Sequence, residues 1–172
     1  MTETDYKLAI SRSLESFQEE QEFHALLTQF QKNEIAQKRE IHVAGDGNCF
    51  FRCISIVCYD DQKYHALVRK QMIDFAIKNR TKFASSINIV GESFDSWIGK
   101  MQNPGNDEFG LLGEYADIFA VELISNWLER PILVQLEDVL TGENYTSLVI
   151  GENFTKSTIH LLLRGQHYSL LN

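Results

Sequence analysis

No apolar run in this sequence approaches the roughly 20 residues that a membrane helix needs. No signal-peptide block opens it, since Met1 to Asp5 is acidic and polar. It carries no basic stripe: 24 acidic against 16 basic side chains leave a net charge of -8, which argues against a nucleic-acid binder. That acid surplus suits a partner with a basic face, or serves only solubility. Repeats and low-complexity tracts are absent. Cysteine is scarce and crowded. Cys49, Cys53 and Cys58 fall within ten residues, an odd number and a poor disulfide framework, which points to a reducing compartment. Paired C-x2-C knuckles are missing too. The spacing C-x3-C-x4-C-x6-H would wrap one helix and fits structural zinc badly. The chain is therefore expected to hold no metal and no cofactor, to bind neither nucleic acid nor membrane, and to be a cytoplasmic monomer.

What is present is an ordinary globular composition. The 172 residues are 44% hydrophobic and 23% charged, and a chain of that size buries roughly 70% of its unfolded surface. Ile10, Leu14 and Phe17 recur at helical spacing over residues 4–20, and Phe23, Leu26, Leu27 and Phe30 continue in a second run. Ile41–Ala44 reads as a short strand, then a turn, then a buried helix over 49–59 that is apolar nearly all round. Helices are expected at 64–79, with Leu67, Val68, Met72, Phe75 and Ala76 on one side, and at 93–100 and 114–128. Pro104 and two glycines make 101–110 a loop. Strands follow at 132–134, 145–150, 158–163 and 168–171, with a turn at 141–144. Helices first and strands last predict α+β rather than a doubly wound sheet.

The chemistry centres on "DGNCFFR", residues 46–52. A helix N-terminus lowers a thiol pKa, because unpaired N–H groups and the helix dipole favour the anion. The same N–H groups can hold a developing oxyanion, and Gly47 permits the tight turn. The plainer alternative is that Cys49, like Cys53 and Cys58, is a small buried apolar residue. A thiol nucleophile also needs a base. His24 lies on the polar N-terminal helix, His65 opens an exposed-looking helix, His160 alternates within a strand, and His42 precedes the turn. His167, in the tight turn "RGQH" between two apolar strands, is placed to face a cleft.

These residues resemble the ovarian-tumour (OTU) family of cysteine proteases. Asp46-Gly47-Asn48-Cys49-Phe50-Phe51-Arg52, with Cys53 at the small position, is similar to the family's nucleophile motif. "YHALVRKQMIDFAIKN" is similar to its second helix, where His-x-x-Val-Arg is common. "EYADIFAVELISNWLERPILV" resembles the segment that often reads Trp-Ala-Asp, helix, Arg-Pro-Ile, and "HYSLL" resembles the terminal His-Tyr motif. The blocks run in order from about residue 38 to the end, roughly four fifths of the chain.

The resemblance implies a papain-like OTU fold, a small mostly antiparallel sheet flanked by helices, as a catalytic domain over 38–172. It implies a deubiquitinase that cleaves ubiquitin from lysine conjugates or polyubiquitin through a Cys49 thioester. Cys49 is then the nucleophile, His167 the general base, and Asp46 the motif aspartate near the oxyanion site. The backbone N–H groups of Gly47, Asn48 and Cys49 are the implied oxyanion donors. The sequence departs from the pattern where the family often has Asn or Asp two residues after the histidine: Ser169 stands there. Ser169, Asp46 or Asn172 is left to orient the imidazole. Tyr115 replaces the usual tryptophan. Residues 1–37 are expected to form a separate helical segment. Ala9, Ser13, Leu14 and Glu15 are similar to a ubiquitin-interacting motif, the alternative being a helix that packs on the catalytic core. Gly165 and the loop 103–110 are candidates to line a channel for a Gly-Gly tail. Linkage preference is expected to lie in 83–110 and 136–157. Two other readings stay open: a catalytically weak OTU-like ubiquitin-binding module, and a thiol hydrolase of another ubiquitin-like modifier. If the chain is a secreted effector, its compartment is the host cytoplasm.

Overall fold

Buried helices come first and strands last, in the order the apolar patterning predicts. The computed structural model describes residues 38–88, 92–105, 111–142 and 144–172. The helical runs expected at 4–20 and 23–30, and with them Ala9, Ser13 and Leu14, lie outside the described residues. The elements below belong to the compact unit Glu40–Asn172. In chain order they are β1 (Glu40–Ile41), α1 (Cys49–Tyr59), a 3-10 turn (Gln62–Tyr64), α2 (His65–Lys78), α3 (Arg80–Asn88), α4 (Phe94–Met101), α5 (Ile118–Leu128), β2 (Ile132–Glu137), β3 (Asn144–Ile150), β4 (Ile159–Arg164) and β5 (His167–Leu171). None of the helices among the described residues is long and apolar enough to cross a membrane.

The helix boundaries follow side-chain chemistry. Ser93 caps α4, its hydroxyl accepting from the Ser96 N–H at 3.2 Å. Asp117 caps α5 by accepting from the Ala120 N–H at 2.9 Å, and its other oxygen accepts from Trp97 Nε1 at 2.8 Å. The expected start of that helix at 114 is therefore four residues early: the Asp117 carboxylate takes the place of a preceding turn. The strand expected at 41–44 is instead Glu40–Ile41, paired with Leu171 and Leu170 at the sheet edge. On α2 the buried face is Val68, Met72, Ile73 and Ala76, while Leu67, expected on it, is 43% exposed. The helix α3 went unread in the sequence. Phe83 and Ile87 fill its inner face at i, i+4, but polar residues surround them.

The sheet has strand order β1-β5-β4-β2-β3. Three pairings are antiparallel and one, β2 with β4, is parallel. The fold is thus α+β with a mostly antiparallel sheet. Helix α1 lies on the sheet, where Phe50 meets the Tyr168 ring of β5 edge-on at 5.3 Å. Trp97 and Phe119 tie α4 to α5 at 4.8 Å. Each such aromatic pair adds about 0.5–1.5 kcal/mol beyond its buried area. This packing fixes the first turn of α1 against the first residues of β5, which is where the chemistry sits.

Candidate active site

The turn before α1 is shaped by a backbone that only glycine adopts easily. Gly47 has φ +81°, and a Cβ there would stand 2.1 Å from the Gly113 carbonyl oxygen. The Gly113 N–H donates to the Asp46 carbonyl at 2.9 Å, so this loop and the chain around 113 are stitched together. The Asp46 side chain turns back on its own loop. It accepts from the Asn48 N–H at 3.0 Å and from Arg52 Nε at 3.1 and 3.2 Å, and a shorter ion pair joins it to the Arg52 guanidinium. Burial works to raise this carboxyl, but the Arg52 guanidinium and the Asn48 N–H outweigh it and hold it down at about 2.

Arg69 braces the turn from behind. It is only 2% exposed. Its guanidinium donates to Asn48 Oδ1 at 2.7 Å, Gly47 O at 3.4 Å, Glu114 O at 2.6 Å and Met101 O at 3.2 Å. It also stacks 4.0 Å from the centre of the Phe51 ring. Asn48 completes the brace by donating to the Pro104 carbonyl at 2.9 Å. Burial lowers Arg69 to about 10, so the guanidinium stays charged near neutral pH and its neighbours are carbonyls rather than a carboxylate.

Cys49 opens α1 and is 2% exposed. Its thiol donates to the Gln166 carbonyl at 3.8 Å and accepts from the Tyr168 N–H at 3.4 Å. Burial pushes the thiol up. The N–H groups of Tyr168 and Phe50 work against that rise, and the nearby Asp46 charge adds to it. The resting thiol is therefore neutral, with the N–H groups already aimed at the sulfur. Cys53, one turn further on, is fully buried, and burial pushes its thiol far up.

His167 is the first residue of β5, straight after a two-residue turn in which Gly165 has φ +61°. It is half-buried, and its imidazole lies against Gly45, where an added Cβ would be 3.6 Å from Nδ1. Cys49 and His167 thus come together across α1 and β5, with the peptides on both sides of His167 in contact with the sulfur.

The remaining predicted residues divide. The Asn48 N–H is taken by Asp46, so of the three expected donors the N–H groups of Gly47 and Cys49 remain, as far as the described residues go. Asp46 spends its carboxylate on Arg52 and Asn48, away from an imidazole-orienting role. Asn172 is exposed and five residues beyond His167, so strand alternation puts it on the opposite face. Ser169 is fully buried on the same face as His167. Gly165 lies beside Val139, its virtual Cβ 3.5 Å from that side chain. Reading the sequence did not reveal the roles of Arg69 or Arg164. For Arg69 the signals were the His-x-x-Val-Arg resemblance and a lone arginine amid Val68, Met72 and Ile73 on an apolar helix face, neither of which names its partners.

Comparison with known proteins places the fold. The profile described as OTU-like cysteine protease matches residues 44–168. Human OTU domain-containing protein 4 is 23% identical over 129 residues, covering 75% of this chain and 10% of that protein. The chain thus spans about a tenth of the length of that curated relative. Among solved structures, the OTUD1 OTU domain superposes with TM-score 0.65 at 19% identity over 84% of this chain and 93% of that one. The Hazara virus OTU bound to ubiquitin gives 0.64 at 18% identity over 80% and 83%. With the profile spanning most of the chain and a cysteine at the head of a helix facing a strand that begins with histidine, this chain belongs to the OTU-like cysteine protease family.

Proposed function

We propose that the protein is a deubiquitinase, a thiol isopeptidase that releases ubiquitin from lysine conjugates or polyubiquitin. The observation that carries this reading is the contact between Cys49 Sγ and the Tyr168 N–H at 3.4 Å, which locks the nucleophile to the strand that His167 begins. The ubiquitin-bound state of the Hazara virus OTU, on the same fold, supports ubiquitin as the modifier.

The chemistry follows from the geometry. His167 takes the thiol proton, and the Cys49 sulfur attacks the carbonyl carbon of ubiquitin's terminal glycine. The oxygen gains negative charge and meets the N–H groups of Gly47 and Cys49. As the tetrahedral adduct collapses, the C–N bond breaks, and the imidazolium gives its proton to the departing lysine amine. Water then attacks the thioester and His167 accepts its proton. The C–S bond breaks, the imidazolium returns its proton to the departing Cys49 sulfur, and ubiquitin leaves with a free terminal carboxyl group, restoring the thiol and the neutral histidine.

The test is intact-protein mass spectrometry after incubation with ubiquitin bearing a C-terminal electrophile. A one-ubiquitin adduct on wild type, absent from Cys49→Ala, supports the proposal. No adduct on folded wild type would refute it. One observation favours a second reading, a ubiquitin-binding module with weak catalysis: the resting thiol is buried and directed at the Gln166 carbonyl. Tight ubiquitin binding without an adduct is the signature of that reading.

A further inference from the structure

Behind His167 the sheet carries a cluster of charge that the nucleophile motif does not contain. Opposite residues in antiparallel strands share a face, so Arg164 of β4 stands beside His167, and Leu162 beside Ser169. Glu40 of β1 pairs with Leu171. The Arg164 guanidinium nevertheless reaches Glu40, with Nη1 2.5 Å from Oε1. One end of this ion pair starts opposite His167 and the other opposite Leu171, so it crosses the position of Ser169 between them. That crossing accounts for a serine that is 0% exposed in a short strand near the edge of the sheet. On its other side Arg164 is held by both oxygens of Glu137 from β2. One cation between two carboxylates leaves the cluster with a net charge of about -1 at neutral pH.

The Ser169 hydroxyl is the unfinished part of this arrangement. It lies close enough to the Glu40 carboxylate to favour the ionised form, but it makes no bond of full hydrogen-bond geometry among the described residues. A buried hydroxyl without a partner carries a desolvation cost. It sits two residues from His167 on the same strand face, about 6.6 Å along the backbone.

We propose that Glu40 is the positioning carboxylate of this active site, acting on His167 through the Ser169 hydroxyl. The hydroxyl accepts from the imidazole N–H and donates to Glu40. The charge that stabilises the imidazolium thus comes from β1 rather than from the residue two places after the histidine. Arg164 aims Glu40, and Glu137 keeps Arg164 from acting as a bare cation beside the imidazole. Of the other ionisable groups, Cys49 on α1 touches the peptides that flank His167, and His42 meets Glu40, with its Nδ1 3.3 Å from Oε1. Asp46 is already committed to Arg52.

The inference rests on the cysteine-protease reading of Cys49 and His167, and its test needs no ubiquitin. The rate of Cys49 alkylation by iodoacetamide is followed against pH in the full chain. Arg52 separates Cys49 from Cys53 and Cys58 on tryptic digestion, so Cys49 is read independently of the other two. At about pH 6.5 alkylation reports the imidazolium-paired thiolate. Glu40→Gln is expected to slow it about tenfold there, the effect of one charge across about 10 Å of protein. Rates should converge in strongly alkaline solution, beyond the range to which burial pushes the Cys49 thiol up, where it ionises without help from the imidazole. Ser169→Asp in the Glu40→Gln background is expected to restore the rate by returning a carboxylate to the strand. Equal wild-type and Glu40→Gln rates within about twofold at all pH values would overturn the proposal, as would failure of Ser169→Asp to rescue. If Glu40→Gln does not fold, Ser169→Ala decides the matter: a several-fold loss at low pH supports the relay and an unchanged profile sinks it. Should wild type form no ubiquitin adduct but Glu40 still govern alkylation, the substrate assignment has failed and this inference has not.

Discussion

Arg69 makes a demanding test of how the catalytic turn is held. The perturbation is Arg69→Met, which keeps an unbranched apolar stem and removes the guanidinium. Four acceptors lose their donor: Asn48 Oδ1, Gly47 O, Glu114 O and Met101 O. They sit behind a side chain that is 2% exposed, so water does not readily replace it. Each stranded acceptor costs about 1–3 kcal/mol, while relief from burying a cation returns part of that. The net loss is expected at about 3–5 kcal/mol. With an m-value of about 2.5 kcal/mol/M, the urea midpoint should fall by about 1.5 M. Arg69→Lys should recover less than half, because an ammonium is a compact group that cannot fork to four acceptors on separate loops. The second readout is adduct formation with the ubiquitin electrophile well below the midpoint. Folded Arg69→Met should react at least tenfold more slowly, since Gly47 and Asn48 are no longer tied to 101–114. An unchanged midpoint together with an unchanged adduct rate would show that the turn holds itself and that the brace reasoning is wrong.

The turn makes two further predictions and the α5 cap a third. Gly47→Ala places a methyl 2.1 Å from the Gly113 oxygen at φ +81°; adduct formation should be lost, and hydrogen exchange should show the 46–48 amides loosened. Asp46 has its carboxyl depressed from 3.8 to about 2. That is worth at most about 2.5 kcal/mol, fully present above about pH 4 and lost as pH falls through about 2. Asp46→Asn should flatten the acid-unfolding curve in that window, and a variant with the wild-type acid limb would contradict the assignment. Asp117→Ala removes both the α5 cap and the acceptor of Trp97 Nε1, and thermal denaturation should show a loss of about 2–3 kcal/mol.

Much of the fold could be read because apolar spacing is a local signal. Helices α1 and α5 run apolar on most faces, and β2 and β4 are short aliphatic runs bounded by turns. Both kinds of element are set by burial that the chain itself advertises. Helix α3 was missed because Phe83 and Ile87 are a two-residue signal in a polar stretch. The start of α5 was misplaced because its apolar pattern and its cap disagree, and the cap won. Parallel pairing of β2 with β4 left no mark, since a central strand reads alike in either direction.

The site was legible only where one residue type at one place does the chemistry. A thiol after Asp-Gly-Asn and a histidine after a tight turn carry that information within a few residues. The supporting groups do not, because their meaning arises from distance in sequence. Arg69 acts on Asn48 from 21 residues away, and Glu40 meets Arg164 across 124. In the sequence Glu40 is one acid in a charged stretch and Arg164 one base beside a turn. Only the sheet register turns them into an ion pair crossing Ser169. The residue that looked like a defect in the nucleophile's partner strand therefore need not weaken the site. A serine at 169 leaves room beneath the ion pair that a carboxylate there would crowd and repel. On that argument Ser169→Asp alone, with Glu40 intact, should lower rather than raise the alkylation rate, because the new carboxylate would stand against a partly exposed Glu40 and the two like charges would oppose each other's ionisation. A faster single variant would mean that Glu40 lies too far from the imidazole to matter.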